Sequence, residues 1–440
     1  VDYDKHLNTH NVISINFNDY FEKLSVEAGI EKIERNLKHD LRQAYPGVLS
    51  DEEQIEDCLD MIEQEFNERF IFLIDEWDCV FRIHRGEIEG QENFLSFLRS
   101  LLKDKSYVEL AYITGILPIK KYNTGSALNM FREYTMLDAK GLSPFYGFTR
   151  SEVKTLCLNN HSIKFEELKQ WYNGYFLSEI EEIYNPCSIS EAMESHVCRD
   201  YWTKTGGFSE LEEYINMNFD GLGELIVKLV SGSAVDVDVL GFSNDLDSFR
   251  SKDEVLTALI HFGYLTYING KVKIPNKEVR EEFANTIKRL SWGHLSKTLK
   301  QSRELLEAVW KLDEEKTAKM LEFVHDNYSG FKEYNNEETL KGVIGLAFYA
   351  AIEDYTIEYE VKSGKGYADS IFKPRKPGIP GIVIELKYDR SPIKAIEQIK
   401  KKNYVRVFEG VTNDLIMVGI NYNKKDKVHQ CKMERFMLGW

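Results

Sequence analysis

Two patterns of apolar positions alternate along the first third of the chain. Continuous apolar runs, each of strand length, are separated by longer segments with helical periodicity. The runs are residues 12–17, 70–74 and 110–117, and the helical segments include residues 52–67 and 93–102. Uninterrupted apolar runs are typical of strands in a parallel sheet. This alternation predicts an α/β domain in residues 1–148, with a parallel sheet and helices on both of its faces.

The middle of the chain has a different pattern, with short helical segments and many aromatic residues. Residues 254–263 have helical periodicity and lead into two short apolar segments, 264–268 and 271–274, joined by Asn269-Gly270. Asn-Gly between apolar segments is a strong local signal for a β-hairpin. We therefore expect a helical and winged-helix-like region over residues 149–290. Residues 291–333 are again helical in pattern and predict a linker.

The last part, residues 334–440, alternates in a third way. A helical segment is followed by three strand-like segments, a second helix and a further strand, so the predicted order is α-β-β-β-α-β. In chain order these segments are residues 337–352, 356–362, 367–372, 382–388, 393–404 and 415–421. The glycines at 364 and 366 join two strands and open no helix, so they predict a hairpin turn rather than a phosphate-binding loop.

Charged residues interrupt two of these apolar strands. Glu385 and Lys387 are two positions apart, so both side chains leave the same face of the strand. Burying such groups is costly unless they are used. If the strands at 367–372 and 382–388 are neighbours, Asp369 comes close to Glu385. The alternative is a surface sheet on which Glu385 and Lys387 form an ion pair without a function.

Two carboxylates a few ångströms apart repel each other unless a cation lies between them. Hard oxygen ligands favour Mg²⁺ or Mn²⁺, and such a metal can polarise a phosphodiester and lower the pKa of a bound water. Lys387 is suited to hold the attacking water or to offset the charge that develops on phosphorus. Glu337 is a candidate third carboxylate, and Gln398 is a candidate for positioning the water or the lysine.

This set of residues resembles the PD-(D/E)XK nuclease-like domain that follows AAA-type ATPase-like domains in a large group of bacterial proteins. The matching segments are Asn336-Glu337, Gly366-Tyr367-Ala368-Asp369, residues 384–388, residues 395–400 with Tyr404, and residues 418–420. The resemblance implies a restriction-endonuclease-like fold for residues 334–440. It also implies a nuclease site with Asp369 and Glu385 as metal ligands. The catalytic residues it implies are Asp369, Glu385, Lys387, Glu337 and Gln398.

The resemblance extends upstream, where residues 73–78 resemble a Walker B segment. Asp75 would then hold Mg²⁺, and Glu76 would activate water against a γ-phosphate. The motif G-x-x-x-x-G-K-[ST] does not occur in the 440 residues, and in the family it precedes the strand at 12–17. We therefore expect a truncated P-loop ATPase-like domain with little ATP hydrolysis, and ATP as a ligand only if the native protein has an upstream phosphate loop. The alternative for Asp75 and Glu76 is an acidic turn that ends a buried strand.

Charge is distributed unevenly along the chain. The net charge is −16, yet residues 360–440 contain 17 Lys and Arg against 9 Asp and Glu. A basic segment beside an acidic body is typical of a surface that contacts phosphates, although a solvated helix face and a charged hairpin would give the same count. The candidate phosphate contacts are Lys373, Arg375, Lys376, Lys400, Lys401 and Lys402.

Other features narrow the class of protein. The apolar runs are too short for a membrane span, and the six cysteines lack zinc-site spacing. We therefore expect a cytoplasmic protein without a membrane partner. The leading functional expectation is a metal-dependent nuclease that acts on DNA and is regulated by an ATPase-like module. The alternatives are a scaffold that binds nucleic acid or protein without cutting, and a signalling factor in which both sites have decayed.

Overall fold

The computed structural model describes residues 3–49, 54–119, 128–159, 163–177, 180–204, 213, 221–242, 249–289, 293–328, 343–363, 366–426 and 428–438. The chain divides into two compact units. The first unit consists of Val1–Leu142 and Asp238–Gly263, and the second consists of Ser143–Val237 and Tyr264–Trp440.

Helices and strands alternate through most of the described residues. The α-helices are α1 (Tyr3–His6), α2 (Asn18–Phe21), α3 (Val26–Ala44), α4 (Ile55–Phe66), α5 (Cys79–Ile83), α6 (Ile88–Leu102), α7 (Arg150–Asn159), α8 (Phe165–Tyr172), α9 (Pro186–Ser195), α10 (Leu222–Val230), α11 (Lys252–His261), α12 (Lys277–Arg289), α13 (Gly293–Trp310), α14 (Glu314–Tyr328) and α15 (Pro392–Lys402). Short 3-10 helices lie at Lys140–Phe145, Trp202–Lys204, Tyr349–Glu353 and Tyr404–Phe408.

The strands in the described part of the chain fall into four sheets. They are β1 (Asn11–Asn16), β2 (Phe70–Asp75), β3 (Val108–Ile113), β4 (Phe148–Thr149), β5 (Tyr175–Leu177), β6 (Ile180–Tyr184), β7 (Val235–Asp236), β8 (Thr266–Ile268), β9 (Lys271–Lys273), β10 (Tyr355–Ser363), β11 (Gly366–Pro374), β12 (Gly381–Tyr388), β13 (Asp414–Asn423) and β14 (Val428–Met437). The strand orders are β1-β2-β3, β4-β6-β5, β7-β9-β8 and β10-β11-β12-β13-β14.

The sheet of the first unit is parallel throughout, as the sequence predicts. Its inner face is buried, with Ile15 and Phe72 packed in one apolar core with residues of α3, α4 and α6. The opposite face carries apolar side chains that are exposed, among them Leu73, Leu110 and Tyr112. The expectation of helices on both faces was therefore wrong for the part of this sheet that the structure describes. Isoleucine, phenylalanine and tyrosine favour strands whether or not both faces are covered, so the apolar runs did not distinguish the two cases.

The Asn-Gly hairpin predicted in the middle of the chain is present. β8 and β9 pair in an antiparallel manner around Asn269 and Gly270, whose φ angles are 48° and 84°. Positive φ at both positions matches the twist of the two strands and explains why this dipeptide is used. β7 adds a third strand beside β9, and α12 follows the hairpin in the chain.

The five-stranded sheet of the second unit contains the strands in which the candidate site was predicted. β10, β11 and β12 form an antiparallel meander, so the predicted strands at 367–372 and 382–388 are neighbours. α15 then crosses over to place β13 parallel to β12. β13 is almost completely buried and packs under α15. This part of the fold is a mixed sheet of the restriction-endonuclease-like kind.

In residues 334–440, one strand and part of one helix differ from the sequence-based expectation. β14 was not predicted, because charged residues such as Lys432, Glu434 and Arg435 interrupt its apolar alternation and give it the pattern of a loop. Of the helix expected at 337–352, residues 343–347 are helical and Tyr349–Glu353 form a 3-10 helix. Residues 337–342 of the predicted helix, Glu337 included, lie outside the described residues.

Neither edge strand of the five-stranded sheet, β14 or β10, is a regular strand with all of its outward backbone groups exposed. Along β14, the backbone N–H of Met433 donates to Glu314 Oε1 at 2.9 Å, and that of His429 donates to Glu322 Oε2 at 3.3 Å. Both carboxylates lie on α14, which therefore covers this edge. On β10 the pairing with β11 skips Glu360, whose φ is 51°.

Among the described helices, none has the length and apolar character needed to cross a membrane.

Candidate active site

The pairing of β11 with β12 brings Asp369 beside Glu385. The regular ladder ends where Ser370 pairs with Ile384, and one further step along this register faces Asp369 with Glu385. At that point a side chain replaces the backbone as the hydrogen-bond acceptor for β12. Asp369 Oδ2 accepts a hydrogen bond from the Leu386 N–H at 2.8 Å. The Asp369 carboxylate is thus fixed against β12, and the predicted proximity of the two acidic residues is present.

The Glu385 carboxylate is buried, with only 2% of the residue exposed. Its Oε1 accepts hydrogen bonds from Lys387 Nζ at 2.7 Å and from Gln398 Nε2. Its Oε2 is buried and has no hydrogen-bond partner in the described part of the chain. A buried acceptor without a partner costs about 1–3 kcal/mol. The structure therefore leaves one oxygen of a buried acidic side chain ready to bind a donor or a cation.

The surroundings of Glu385 raise its pKa to about 7. Burial is the largest cause, because it disfavours the charged form, and the negative charge of Asp369 adds to it. Lys387 and the backbone N–H of Asp369 act in the opposite direction. Near neutral pH, and without a cation, the carboxyl group is therefore only partly ionised. Strong perturbation by burial and a second carboxylate is characteristic of functional sites.

Gln398 is held in place by the helix that carries it and by a tyrosine. The N-terminus of α15 is capped by the Ser391 hydroxyl, which accepts from the Ile393 N–H at 3.2 Å. Gln398 Nε2 also donates to the buried Tyr404 hydroxyl at 3.2 Å. Tyr404 is part of the sequence resemblance, which implies no role for it. Its contact with Gln398 shows that it positions the amide beside Glu385.

A close approach between α15 and β13 sets the position of this helix. A β-carbon added at Gly419 would lie 2.3 Å from the Pro392 carbonyl oxygen and 2.9 Å from the Ala395 β-carbon. Only glycine leaves room for the helix backbone at this distance. Gly419 thereby allows α15 to come close enough to the sheet for Gln398 to reach Glu385.

The fit of a divalent cation rests on the two carboxylates. Asp369 and the unpartnered Oε2 of Glu385 supply the hard oxygen ligands that Mg²⁺ and Mn²⁺ prefer. Glu337, the predicted third carboxylate, lies outside the described residues. Among the residues that are described, no group of three or more His, Cys, Asp or Glu is arranged to hold a metal ion. The residues present therefore fit a metal held by two protein ligands.

The acidic residues predicted in the first unit have partners within that unit. Asp75 ends β2 and accepts a hydrogen bond from the Thr114 hydroxyl at 2.5 Å. Glu76 has a φ of 55° and is ion-paired with Arg82. Sequence reasoning missed Asp78, which is fully buried and accepts from the backbone N–H groups of residues 116 and 117 at 3.1 and 3.0 Å. Asp78 thus fixes the loop that follows β3.

Several candidate phosphate contacts are already paired with carboxylates. Lys373 Nζ lies 2.8 Å from Glu358, Lys376 Nζ lies 3.0 Å from Asp354, and Lys400 Nζ lies 2.5 Å from Glu434. Arg375 donates from Nε to the Thr356 hydroxyl at 3.1 Å. Lys401 is exposed at the end of α15, and the neighbouring Lys402 is partly buried. The positive segment is therefore partly neutralised, and two of the neutralising carboxylates, Asp354 and Glu358, lie outside the range 360–440 over which the charges were counted.

Comparison with known proteins gives one family match. The family model of the PD-(D/E)XK nuclease superfamily matches residues 335–432. No curated protein matches the chain. Among solved structures, the Walker-type ATPase PABY2304 of Pyrococcus abyssi aligns with 13% identity and a TM-score of 0.32, over 63% of this chain and 85% of that chain. A likeness at this level carries no argument about fold or function.

Proposed function

Because residues 335–432 are a PD-(D/E)XK nuclease superfamily domain, we propose that the chain hydrolyses phosphodiester bonds in DNA with the help of Mg²⁺ or Mn²⁺. The observation that carries this proposal is the state of Glu385. It is buried beside Asp369, two donors hold one of its oxygens, and its other oxygen has no partner among the described residues. This is the arrangement expected of a carboxylate with one oxygen available as a ligand for a cation.

Each residue then has a distinct role. Asp369 and Glu385 hold the cation, which supplies Lewis-acid activation of the phosphodiester and of a water molecule when it is bound. Lys387 neutralises Glu385 in the resting site and turns its ammonium group toward the charge that develops on phosphorus. Gln398 keeps the Glu385 carboxylate oriented and is itself held by Tyr404. Glu337 is proposed as a further acidic residue of the site.

Three features support nucleic acid as the substrate and a regulatory role for the first unit. The superfamily match concerns nucleases. The excess of Lys and Arg over Asp and Glu in residues 360–440 is the kind of charge that attracts phosphates. Asp75 and Glu76 stand at the carboxyl end of a parallel strand, which is where ligands bind in α/β sheets. We propose that they belong to an ATPase-like regulatory module.

The decisive experiment compares cleavage of plasmid and single-stranded DNA by the wild type, Asp369→Asn and Lys387→Ala, with Mg²⁺, Mn²⁺ or EDTA. Asp369→Asn keeps the shape but removes a charged ligand, so metal affinity and cleavage should both fall sharply. Lys387→Ala should leave metal affinity equal or higher, because a nearby positive charge is gone. Cleavage by this variant should still fall about 10²–10³-fold, the usual effect of losing one transition-state contact.

The two variants separate metal binding from catalysis, and Lys23→Ala is a control at an exposed lysine of the first unit. Equal cleavage by wild type and Asp369→Asn would place the activity elsewhere or in a contaminant. If the wild type binds DNA but cuts none with either metal, the chain is a non-cleaving scaffold. In that case Asp369, Glu385 and Lys387 are structural residues.

A further inference from the structure

A polar cavity lies in the second unit, and its lining residues belong to α12 and to the 3-10 helix Tyr349–Glu353. Its volume is about 260 Å³. The residues from α12 are spaced so that they share one face of the helix, as do those from the 3-10 helix. The lining consists of Lys277, Arg280, Glu281, Asn285, Tyr349, Ile352 and Glu353. Asp369, Glu385 and Lys387 do not contribute to it.

Arg280 is the unusual residue of this cavity. Its Nε is buried without a hydrogen-bond partner, and within the described residues its guanidinium group forms no ion pair. One end of the group lies against the backbone of Gly232, where an added β-carbon would be 3.3 Å from Nη1. Burial lowers the pKa of Arg280, because a buried guanidinium group loses its hydration. A buried arginine without a partner lowers the stability of the fold unless an anion binds to it.

The other charged groups of the cavity already have partners. Lys277 Nζ lies 3.4 Å from Glu281 Oε1 and also 4.0 Å from the centre of the Trp171 ring. Glu353 lies 3.9 Å from Arg303 Nη1. The two acidic residues therefore each have a cation close by, and among the described residues that line the cavity Arg280 remains without a carboxylate partner. Its guanidinium offers planar, forked donors that match phosphate oxygens.

We propose that this cavity binds a small phosphate-bearing anion, with Arg280 as the residue that contacts it and Tyr349 as a second donor. The volume lies below the ~300–1,000 Å³ of ordinary small-molecule pockets. It therefore suits inorganic phosphate or the phosphate group of a monoester rather than a large ligand. The proposal does not depend on nuclease activity, because it concerns other residues.

The test is calorimetric titration of the full chain with sodium phosphate and with adenosine 5′-monophosphate, against sodium chloride at matched ionic strength. The wild type should bind with a measurable heat that chloride does not produce. Arg280→Gln should weaken binding about 10- to 100-fold, because a charge-assisted hydrogen bond is lost. Arg280→Lys keeps the charge and should retain part of the affinity. Binding of the monophosphate as well as free phosphate identifies a monoester site, whereas binding of phosphate alone identifies an inorganic phosphate site.

Arg406→Gln provides the matched control, because Arg406 is a largely exposed arginine of the same unit that pairs with Glu409 outside the cavity. It should bind phosphate as the wild type does. If Arg280→Gln unfolds, comparison of Arg280→Lys and Tyr349→Phe with the wild type still decides the question, because both should bind phosphate more weakly. The proposal is overturned if the wild type does not bind phosphate at millimolar concentration. It is equally overturned if folded Arg280→Gln binds as tightly as Arg406→Gln.

Discussion

At the scale of single residues, Glu385 makes the stability of the metal-free fold depend on pH. Its carboxyl group is buried next to Asp369, and among the described residues only one of its two oxygens has hydrogen-bond partners. Burial and the second carboxylate raise its pKa from 4.5 in the unfolded chain to about 7. A raised pKa means that the folded state holds the proton more tightly. Glu385 therefore favours folding below its unfolded pKa, and this contribution is lost as the pH rises through about 7.

This predicts that Glu385→Gln stabilises the metal-free protein at alkaline pH. With EDTA present, the variant should gain about 1–3 kcal/mol over the wild type at about pH 8, and the gain should shrink toward about pH 5. Its neutral amide keeps an oxygen that can accept from Lys387. The measurement is urea unfolding of both proteins at several pH values.

Glu409→Gln is a suitable comparison, because Glu409 is an exposed glutamate of the same unit. Its effect should not change across this pH range. A gain for Glu385→Gln that stays constant with pH would show that Glu385 is not protonated as its surroundings imply.

At the scale of elements, the position of α15 depends on the absence of a side chain at Gly419. A methyl group there would meet the Pro392 carbonyl oxygen at 2.3 Å, and a backbone atom cannot rotate away as a side chain can. Gly419→Ala should therefore push α15 outward, destabilise the unit by about 1–3 kcal/mol and move Gln398 away from Glu385. At a temperature where the variant remains folded, DNA cleavage should still be lower than that of the wild type. The measurements are the cleavage rate and the free energy of unfolding.

Gly141→Ala is the appropriate control, because nothing lies within 4 Å of the added β-carbon at that position. It should leave both stability and cleavage close to those of the wild type. Unchanged cleavage by Gly419→Ala would show that the contact between Gln398 and Glu385 does not need the close approach of α15.

The sequence predicts elements well where one local signal decides them. β12 is an apolar strand with Glu385 and Lys387 on one face, and the β8–β9 hairpin is marked by its turn, so both follow from nearby residues. β14 and the carboxylate partners of Lys373 and Lys376 depend on residues distant in the chain. That Glu385 Oε2 has no partner among the described residues is likewise a result of packing, which cannot be predicted from a local sequence pattern.

At the scale of the whole molecule, the uneven charge predicts how the chain meets DNA. The body is acidic and residues 360–440 are basic, so binding should depend on few phosphate contacts and weaken with salt. Lys401→Glu changes an exposed lysine at the end of α15. It should weaken DNA binding and reduce the slope of log affinity against log salt by about 1. Fluorescence anisotropy over a salt series measures both quantities.

Lys23→Glu makes the same charge change at an exposed position of the acidic body. It should leave the slope unchanged, although the net charge of the two variants is identical. Equal loss of affinity in both variants would mean that total charge, rather than the basic segment, governs the association with DNA.

The two edges of the five-stranded sheet have a consequence for self-association. Glu314 and Glu322 of α14 occupy outward N–H groups of β14, and the interruption at Glu360 breaks the regular edge of β10. An added strand from another chain would need those groups and a straight edge. Neither side of this sheet therefore offers a template for intermolecular strand addition. Copies of the chain that assemble through this unit should do so by side-chain surfaces, and the sheet should resist the edge-to-edge growth that leads to fibrils.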